Sequence, residues 1–205
     1  VANNHQEVFM DYVIYVVDVE TTGLDDRSND IIELSMHRLT DDVQKTWCIQ
    51  PFNPNNIDPD SLRINGHKKE NILHQTKEGR ETYIDPNKVI IEVENWVIED
   101  GVPTTQRILA GQNVGFDKNF LEQHWIKGKS KDSFPFGRRM LDTMQIEFFL
   151  DLCKGKMSEG YSLNNLTKKY GLKNEKAHSA AADVKVTKDV LIKQIEFFKD
   201  KLKDA

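Results

Sequence analysis

Asp18 and Glu20 follow the run YVIYVV, Tyr12 to Val17, which is apolar or aromatic without interruption. Charge at the end of a run suited to a sheet interior costs free energy unless it is paired or binds a cation. Side chains at i and i+2 of a strand share a face, so the two carboxylates stand side by side and repel one another. A divalent metal ion between them is the chemistry that would stabilise this spacing. Two more acids lie in suggestive settings. Asp117, in NVGFDKNFL (113–121), falls in the first turn of an expected helix, where the helix dipole alone would favour it. Asp183, in HSAAAD (178–183), lies one turn into a C-terminal helix among alanines that let another group approach closely, and His178 stands at or just before that helix.

The elements that must position these groups are legible in outline. Tyr12–Val17 reads as a central strand covered on both faces. Ile31–Leu39 alternates Ile32, Leu34 and Met36 with Glu33, Ser35 and His37, the pattern of a half-exposed strand. Lys45–Ile49 is a third strand, and the short links predict an antiparallel meander. Residues 59–75 hold short helical pieces, and Asp85-Pro86 opens a helix that runs to Asp100. Arg107–Ala110 is a strand feeding a helix over about 115–126, with Asn113 as its N-cap. Met140-Leu141 is a short strand, Asp142 caps a helix through Leu150, and Ser162 caps another that ends at Gly171. The last helix is predicted over about 179–203, with Val184, Leu191, Ile195, Phe198 and Leu202 facing inward. The pentapeptide QIEFF occurs twice, at 145–149 and 194–198, and its aromatics are expected to be buried in both helices.

In order along the chain, DVETTGL (18–24), NVGFDKNFL (113–121) and HSAAAD (178–183) resemble the motifs of the DEDD exonucleases. The histidine in the last motif, with serine rather than tyrosine at 179, is similar to the DEDDh branch, which includes proofreading epsilon subunits and ribonuclease T. LDTM (141–144) and YSLNNLTKKYGL (161–172) extend the resemblance over roughly residues 12–192. It implies a ribonuclease H-like α/β fold, with a mixed sheet of about five strands, the first three antiparallel, and helices on both faces. It also implies a 3′→5′ exonuclease using two divalent cations, Mg²⁺ or Mn²⁺, and releasing nucleoside 5′-monophosphates. Asp18 would bridge both ions, Glu20 and Asp183 would complete the first, Asp117 would support the second, and His178 would be the general base. Thr21, Thr22 and Leu24, with Asn113 and Phe116 opposite, would hold the 3′-terminal nucleotide. In INGH (64–67), Asn65 stands where some members carry a histidine before the glycine.

The 205 residues carry a net charge of −5, which argues against a protein held to nucleic acid by a broad basic face. It leaves open a grip on a single-stranded 3′ end, DNA or RNA, with bound metal supplying positive charge. Lys127, Lys129, Lys131, Arg138 and Arg139, in or beside the 127–139 loop, are candidates for guiding the strand. A polymerase or a second copy of the chain is the further partner implied. Residues 1–10 read as a loose tail and 11–205 as one exonuclease domain. The first residues lack the pattern of a secretory leader. Neither cysteine belongs to a CxxC pair, so both are expected to be reduced thiols in a cytoplasmic protein.

Overall fold

The computed structural model describes residues 11–128, 134–173 and 179–203. The expected tail over 1–10, together with Lys129, Lys131 and His178, lies outside the described residues.

The apolar run becomes the strand β1 (Val13–Thr21), which extends past the two acids so that they lie within the strand. Its side chains serve two cores. Val13, Tyr15, Val17 and Val19 face one, and Ile14 and Val16 face the other. β2 (Ile31–Arg38) and β3 (Val43–Ile49) follow as the expected antiparallel meander. Short helices α1 (Pro59–Asn65), α2 (Lys69–Ile72) and α3 (Lys77–Thr82) lead to β4 (Tyr83–Ile84), which pairs parallel with β3. α4 (Pro86–Ile98) starts where Pro86 follows Asp85, whose carboxylate accepts from the Asn87 and Lys88 amides. β5 (Arg107–Gly111) runs parallel to β1, α5 (Val114–Lys127) follows, and β6 (Met140–Asp142) runs parallel to β5. α6 (Thr143–Lys154), α7 (Leu163–Lys169) and α8 (Ala180–Lys203) complete the described chain.

Among the described residues the sheet has six strands in the order β4-β3-β2-β1-β5-β6, one more than expected. The addition comes from the two-residue β4, too short to leave a periodicity in the sequence. On one face α4 and α5 bury Tyr15, Trp47, Trp96, Trp125 and Phe136, each large ring worth about 1.5–3 kcal/mol of transfer free energy. The Tyr15 hydroxyl donates to Asp100 at 2.8 Å, and Asp100 pairs with Arg107 at the same distance. The polar end of this buried ring is therefore satisfied.

On the other face α8 lies across β1 and β2, and this overturns the expectation of a half-exposed β2. All eight residues of β2 are buried, Glu33, Ser35 and His37 included. Alternation predicted polar side chains facing water, but a helix from the far end of the chain covers them. The inward stripe of α8 holds at Val184 and Leu191 and fades toward the C-terminus, where Leu202 is 74% exposed. Phe148 and Phe149 are likewise exposed, against the expectation from the first QIEFF copy, because α6 buries Glu147 and Leu150 instead. Among the described residues no helix is long and apolar enough to cross a membrane.

Candidate active site

Pairing between β1 and β5 stops at Val16 and Ala110, whereas pairing with β2 continues to Thr21. Asp18 and Glu20 thus stand beyond the carboxyl end of β5, beside the crevice where open α/β sheets bind their ligands. A register shift between Glu20 and Thr21 ends the regular ladder there. The Val19 amide, past the end of the β5 pairing, donates to Asp117 Oδ1 at 3.0 Å. That bond anchors Asp117, only 3% exposed in the first turn of α5, at the same edge. From the α8 side, the Ser179 carbonyl accepts the Ala182 and Asp183 amides, both at 2.9 Å, and forms the first turn of the helix. One carboxylate oxygen from each of Asp18, Glu20 and Asp183 can be chosen so that all three lie within 4.8 Å of one another. Two elements distant in sequence, β1 and α8, therefore deliver acids to one spot, with Asp117 of α5 anchored beside them.

These groups are electrostatically strained. Burial raises the Asp18 carboxyl well above its ordinary range, and the charges of Asp117, Glu20, Asp183 and Glu33 add to this. Glu20 is pushed up to about 7 by burial and then by Glu33 and Asp183. Asp117 is raised to about 8, chiefly by burial, with the Val19 amide working in the opposite direction. Among the described residues no lysine or arginine pairs with Asp18, Glu20 or Asp117. An all-carboxylate set, partly desolvated and mutually repelling, fits a hard divalent cation. Asp18, Glu20 and Asp183 could hold one, with Asp117 at the margin.

A fifth acid was missed from the sequence. Glu33 lies opposite Glu20 in the β1–β2 register. Its Oε2 contacts His67 Nε2 at 3.0 Å, and its Oε1 accepts the Ala181 amide at 3.3 Å. His67 Nδ1 meets the Tyr83 hydroxyl at 2.5 Å. One tautomer satisfies the chain: Tyr83 donates to Nδ1, and Nε2–H donates to Glu33. The Ala181 carbonyl is held in turn by Gln44 Nε2 at 2.8 Å. Ala181, two residues before Asp183, is thus held through both its amide and its carbonyl. Strand alternation placed Glu33 on a watery face, so the available signal, an acid inside IIEL, read as solvent exposure.

The expected substrate residues divide by accessibility. Leu24 is 81% exposed beside the acids, Asn113 is exposed, and Phe116 is half-buried against Phe120. Asn113 occupies the N-cap position with a left-handed backbone, φ 58°, and no side-chain cap, contrary to expectation; its amide instead donates to Asp142. Thr21 turns its hydroxyl onto the Gly23 carbonyl at 2.6 Å. Thr22 is fully buried, its amide donates to the Asp30 carbonyl, and its hydroxyl accepts the Asp30 amide. In this arrangement both groups serve Asp30, and Thr22 shapes the strand exit. A Cβ at Gly23 would come within 2.3 Å of the Asn29 side chain and would displace its bonds to the Asp25 amide and the Asn56 carbonyl. Lys127 is committed to the same turn, bonding the Asp26 and Asn29 carbonyls and pairing with Asp30 at 2.9 Å. It braces the loop and has no free charge to guide a strand. Asn65 also belongs here, since its Nδ2 donates to the Thr21 carbonyl at 3.1 Å.

The fold and the acid cluster define a nuclease of the ribonuclease H-like class. The chain belongs to the exonuclease family RNase_T, whose model matches residues 15–191, within the DEDD 3′→5′ exonuclease superfamily. Among curated proteins it is 28% identical to the PolC-type DNA polymerase III of Staphylococcus aureus strain bovine RF122 and 27% identical to that of strain MW2. Each alignment covers 98% of this chain but only 12% of the relative, so the chain spans about an eighth of those polymerases. Among solved structures, the zinc-bound E. coli ExoI–ssDNA complex superposes with a TM-score of 0.71 at 17% identity, over 89% of this chain and 40% of that one. Cell-death related nuclease 4 gives 0.70 at 14% identity, over 91% and 64%. Exonuclease I from Methylocaldum szegediense gives 0.69 at 18%, over 89% and 40%.

Proposed function

We propose that the chain is a metal-dependent exonuclease that removes nucleoside 5′-monophosphates from the 3′ end of single-stranded DNA, RNA or both. The observation that carries this reading is the convergence of Asp18, Glu20 and Asp183 within 4.8 Å, beside a buried Asp117. Asp18, Glu20 and Asp183 would hold one Mg²⁺ or Mn²⁺, and Asp18 with Asp117 a second. Ions so held would polarise the scissile phosphate and lower the pKa of the attacking water. His178, one residue before Ser179, is assigned as the base that takes the water's proton, a task its ordinary pKa near 6.5 suits. Leu24, Asn113 and Phe116 are assigned to the 3′-terminal nucleotide, Leu24 against the base and Phe116 against the sugar or base.

Purified chain incubated with 5′-labelled single-stranded DNA and RNA of one sequence, with Mg²⁺ or Mn²⁺, tests this. The expected result is a ladder shortening from the 3′ end, abolished by chelator and by Asp18→Ala. Intact substrate in every lane would sink the reading, and the DNA-to-RNA rate ratio decides the substrate.

The similarity to polymerases over 98% of the chain favours a second, narrower reading: proofreading beside a polymerase. It predicts faster removal of a mismatched than of a paired primer terminus. Equal rates on the two would remove it.

A further inference from the structure

Ions held by the acid cluster would offset charge only at the scissile phosphate, so the rest of the strand's backbone needs positive charge of its own. In the 127–139 loop, Lys127 is bound within the Asp26–Asp30 turn and Arg139 leans on Tyr12, which leaves Arg138 as the exposed cation without an ion pair among the described residues there. The concentration of cations lies instead in a cleft of about 730 Å³ between the end of α6 and the end of α7. Lys154, Lys156, Lys168 and Lys169 line it, against Asp151 and Glu159.

The four lysines are not equivalent. Lys169 pairs with Glu147 at 2.7 Å and with Asp151 at 2.8 Å. Asp151 also accepts the Ser158 amide and hydroxyl, at 2.9 and 2.5 Å. This network fixes the cleft wall and neutralises its own charges. Lys154 sits over the Phe197 ring at 4.7 Å. Lys156 and Lys168 are exposed and form no ion pair among the described residues, so their charge faces the cleft without a protein partner. The cleft connects to the candidate active site through two short hydrogen bonds. Gln112, next to Asn113, donates to the Tyr161 carbonyl at 2.6 Å and accepts from Thr143 at 2.6 Å. Tyr161 follows directly on the Lys156–Gly160 rim.

We infer that this lysine-lined cleft is a second nucleic-acid subsite, which holds backbone phosphates of the single strand upstream of the nucleotide being removed. The inference rests on the exonuclease reading. Lys156 and Lys168 make the phosphate contacts, the network around Lys169 holds the wall, and the Gln112–Tyr161 bond sets the cleft relative to α5. Phosphate contact is indifferent to base, so the subsite adds affinity with chain length and carries no sequence preference.

The test compares a 12-nucleotide single-stranded DNA with a thymidine dinucleotide, for the wild-type chain and for Lys156→Gln/Lys168→Gln. The expected result is a roughly tenfold larger rise in KM for the long substrate than for the dinucleotide. The dependence of its apparent affinity on salt should also become shallower by about 1.4 in log–log slope, as expected when two lysines no longer neutralise phosphates of a single strand. Lys156→Arg/Lys168→Arg should restore most of both. Equal KM changes on the two substrates, or an unchanged salt slope, would overturn the subsite while leaving the exonuclease intact. Failure of the wild-type chain to cleave either substrate would overturn the exonuclease reading itself, and the subsite with it.

Discussion

Glu33 Oε1 accepts the Ala181 amide at 3.3 Å, joining residues 148 positions apart. The first amides of a helix have no partner within it, so Glu33 acts from another strand as the cap of α8. Its orientation depends on His67, which in turn depends on Tyr83. Because Asp183 is two residues beyond Ala181, this chain of contacts positions a candidate metal ligand from outside the acid cluster. His67→Ala should destabilise the fold by about 1–3 kcal/mol, the usual cost of leaving a buried charged acceptor without its partner. It should also raise the Mn²⁺ concentration needed for half-maximal thermal stabilisation several-fold. His67→Gln, which can still donate to Glu33, should recover much of the metal response. An unaltered Mn²⁺ titration in His67→Ala would reduce the contact to ordinary packing.

The acids predict a fold that is less stable at higher pH when no cation is bound. A carboxyl with a raised folded-state pKa binds its proton more tightly in the native state than in the unfolded chain. The native state then holds more protons, and stability falls as pH rises between the two values. For Glu20 the window runs from 4.5 to about 7, and for Asp117 from 3.8 to about 8. Without divalent ions, the melting temperature should decline from about pH 5.5 to about pH 8. Added Mg²⁺ or Mn²⁺ should stabilise far more at the upper end, where the carboxylates are charged. Thermal scans with and without chelator check this; a metal effect independent of pH would contradict the strained-acid picture.

His124 contributes a limb of opposite sign. It is buried beside Phe52 and Trp125, and burial lowers its pKa to about 4. One ring nitrogen approaches the Pro86 backbone, too loosely for a well-formed hydrogen bond. A base with a depressed folded pKa adds stability above its unfolded value, and that stability is lost as pH falls from 6.5 toward 4. His124→Phe should therefore remove acid sensitivity in that window and raise stability by about 1 kcal/mol near pH 5. Denaturant melts over this range would show an unchanged acid limb if another group were responsible.

What the sequence revealed and what it hid follow from the range of the forces involved. Asp18 and Glu20 drew notice from a strand run alone, whereas Asp117 and Asp183 stood out only once DVETTGL, NVGFDKNFL and HSAAAD were taken together in their order along the chain. The antiparallel meander and the Asp85, Asp142 and Ser162 caps were legible from local patterns. The burial of β2, the seclusion of Thr22 and the service of Lys127 to the Asp26–Asp30 turn all depend on partners distant in the chain. Alternation in residues 31–39 reports two faces but not what covers each. α8, more than 140 positions later, decided it.

Asp117→Asn separates structural from chemical roles. An asparagine oxygen can still accept the Val19 amide, so the 3.0 Å anchor survives. The substitution removes a charge that burial and neighbouring acids disfavour. Without metal, the variant should be more stable than wild type near pH 8 by about 1 kcal/mol or more, since the buried charge is gone. Nuclease turnover should nonetheless fall at least about 100-fold, the scale expected when an electrostatic contributor to the transition state is removed. A variant both destabilised and active would show that Asp117 is a helix-capping acid and nothing more.

Leu24 is the most exposed of the large apolar side chains among the described residues. It is 81% exposed, at the tip of the turn that Thr21, Thr22 and Gly23 form beside the acids. An apolar side chain in water adds little to the fold, so Leu24→Ala should change stability by less than about 0.5 kcal/mol. Against a terminal base the same side chain would lose water from both surfaces, and removing it should raise KM for a single strand roughly five- to thirtyfold, the equivalent of 1–2 kcal/mol of apolar contact. The effect should be largest on the shortest cleavable oligonucleotide, where terminal contacts make up most of the binding. A KM indifferent to Leu24→Ala at every length would place the 3′-terminal base elsewhere, with Phe116 the next side chain to test.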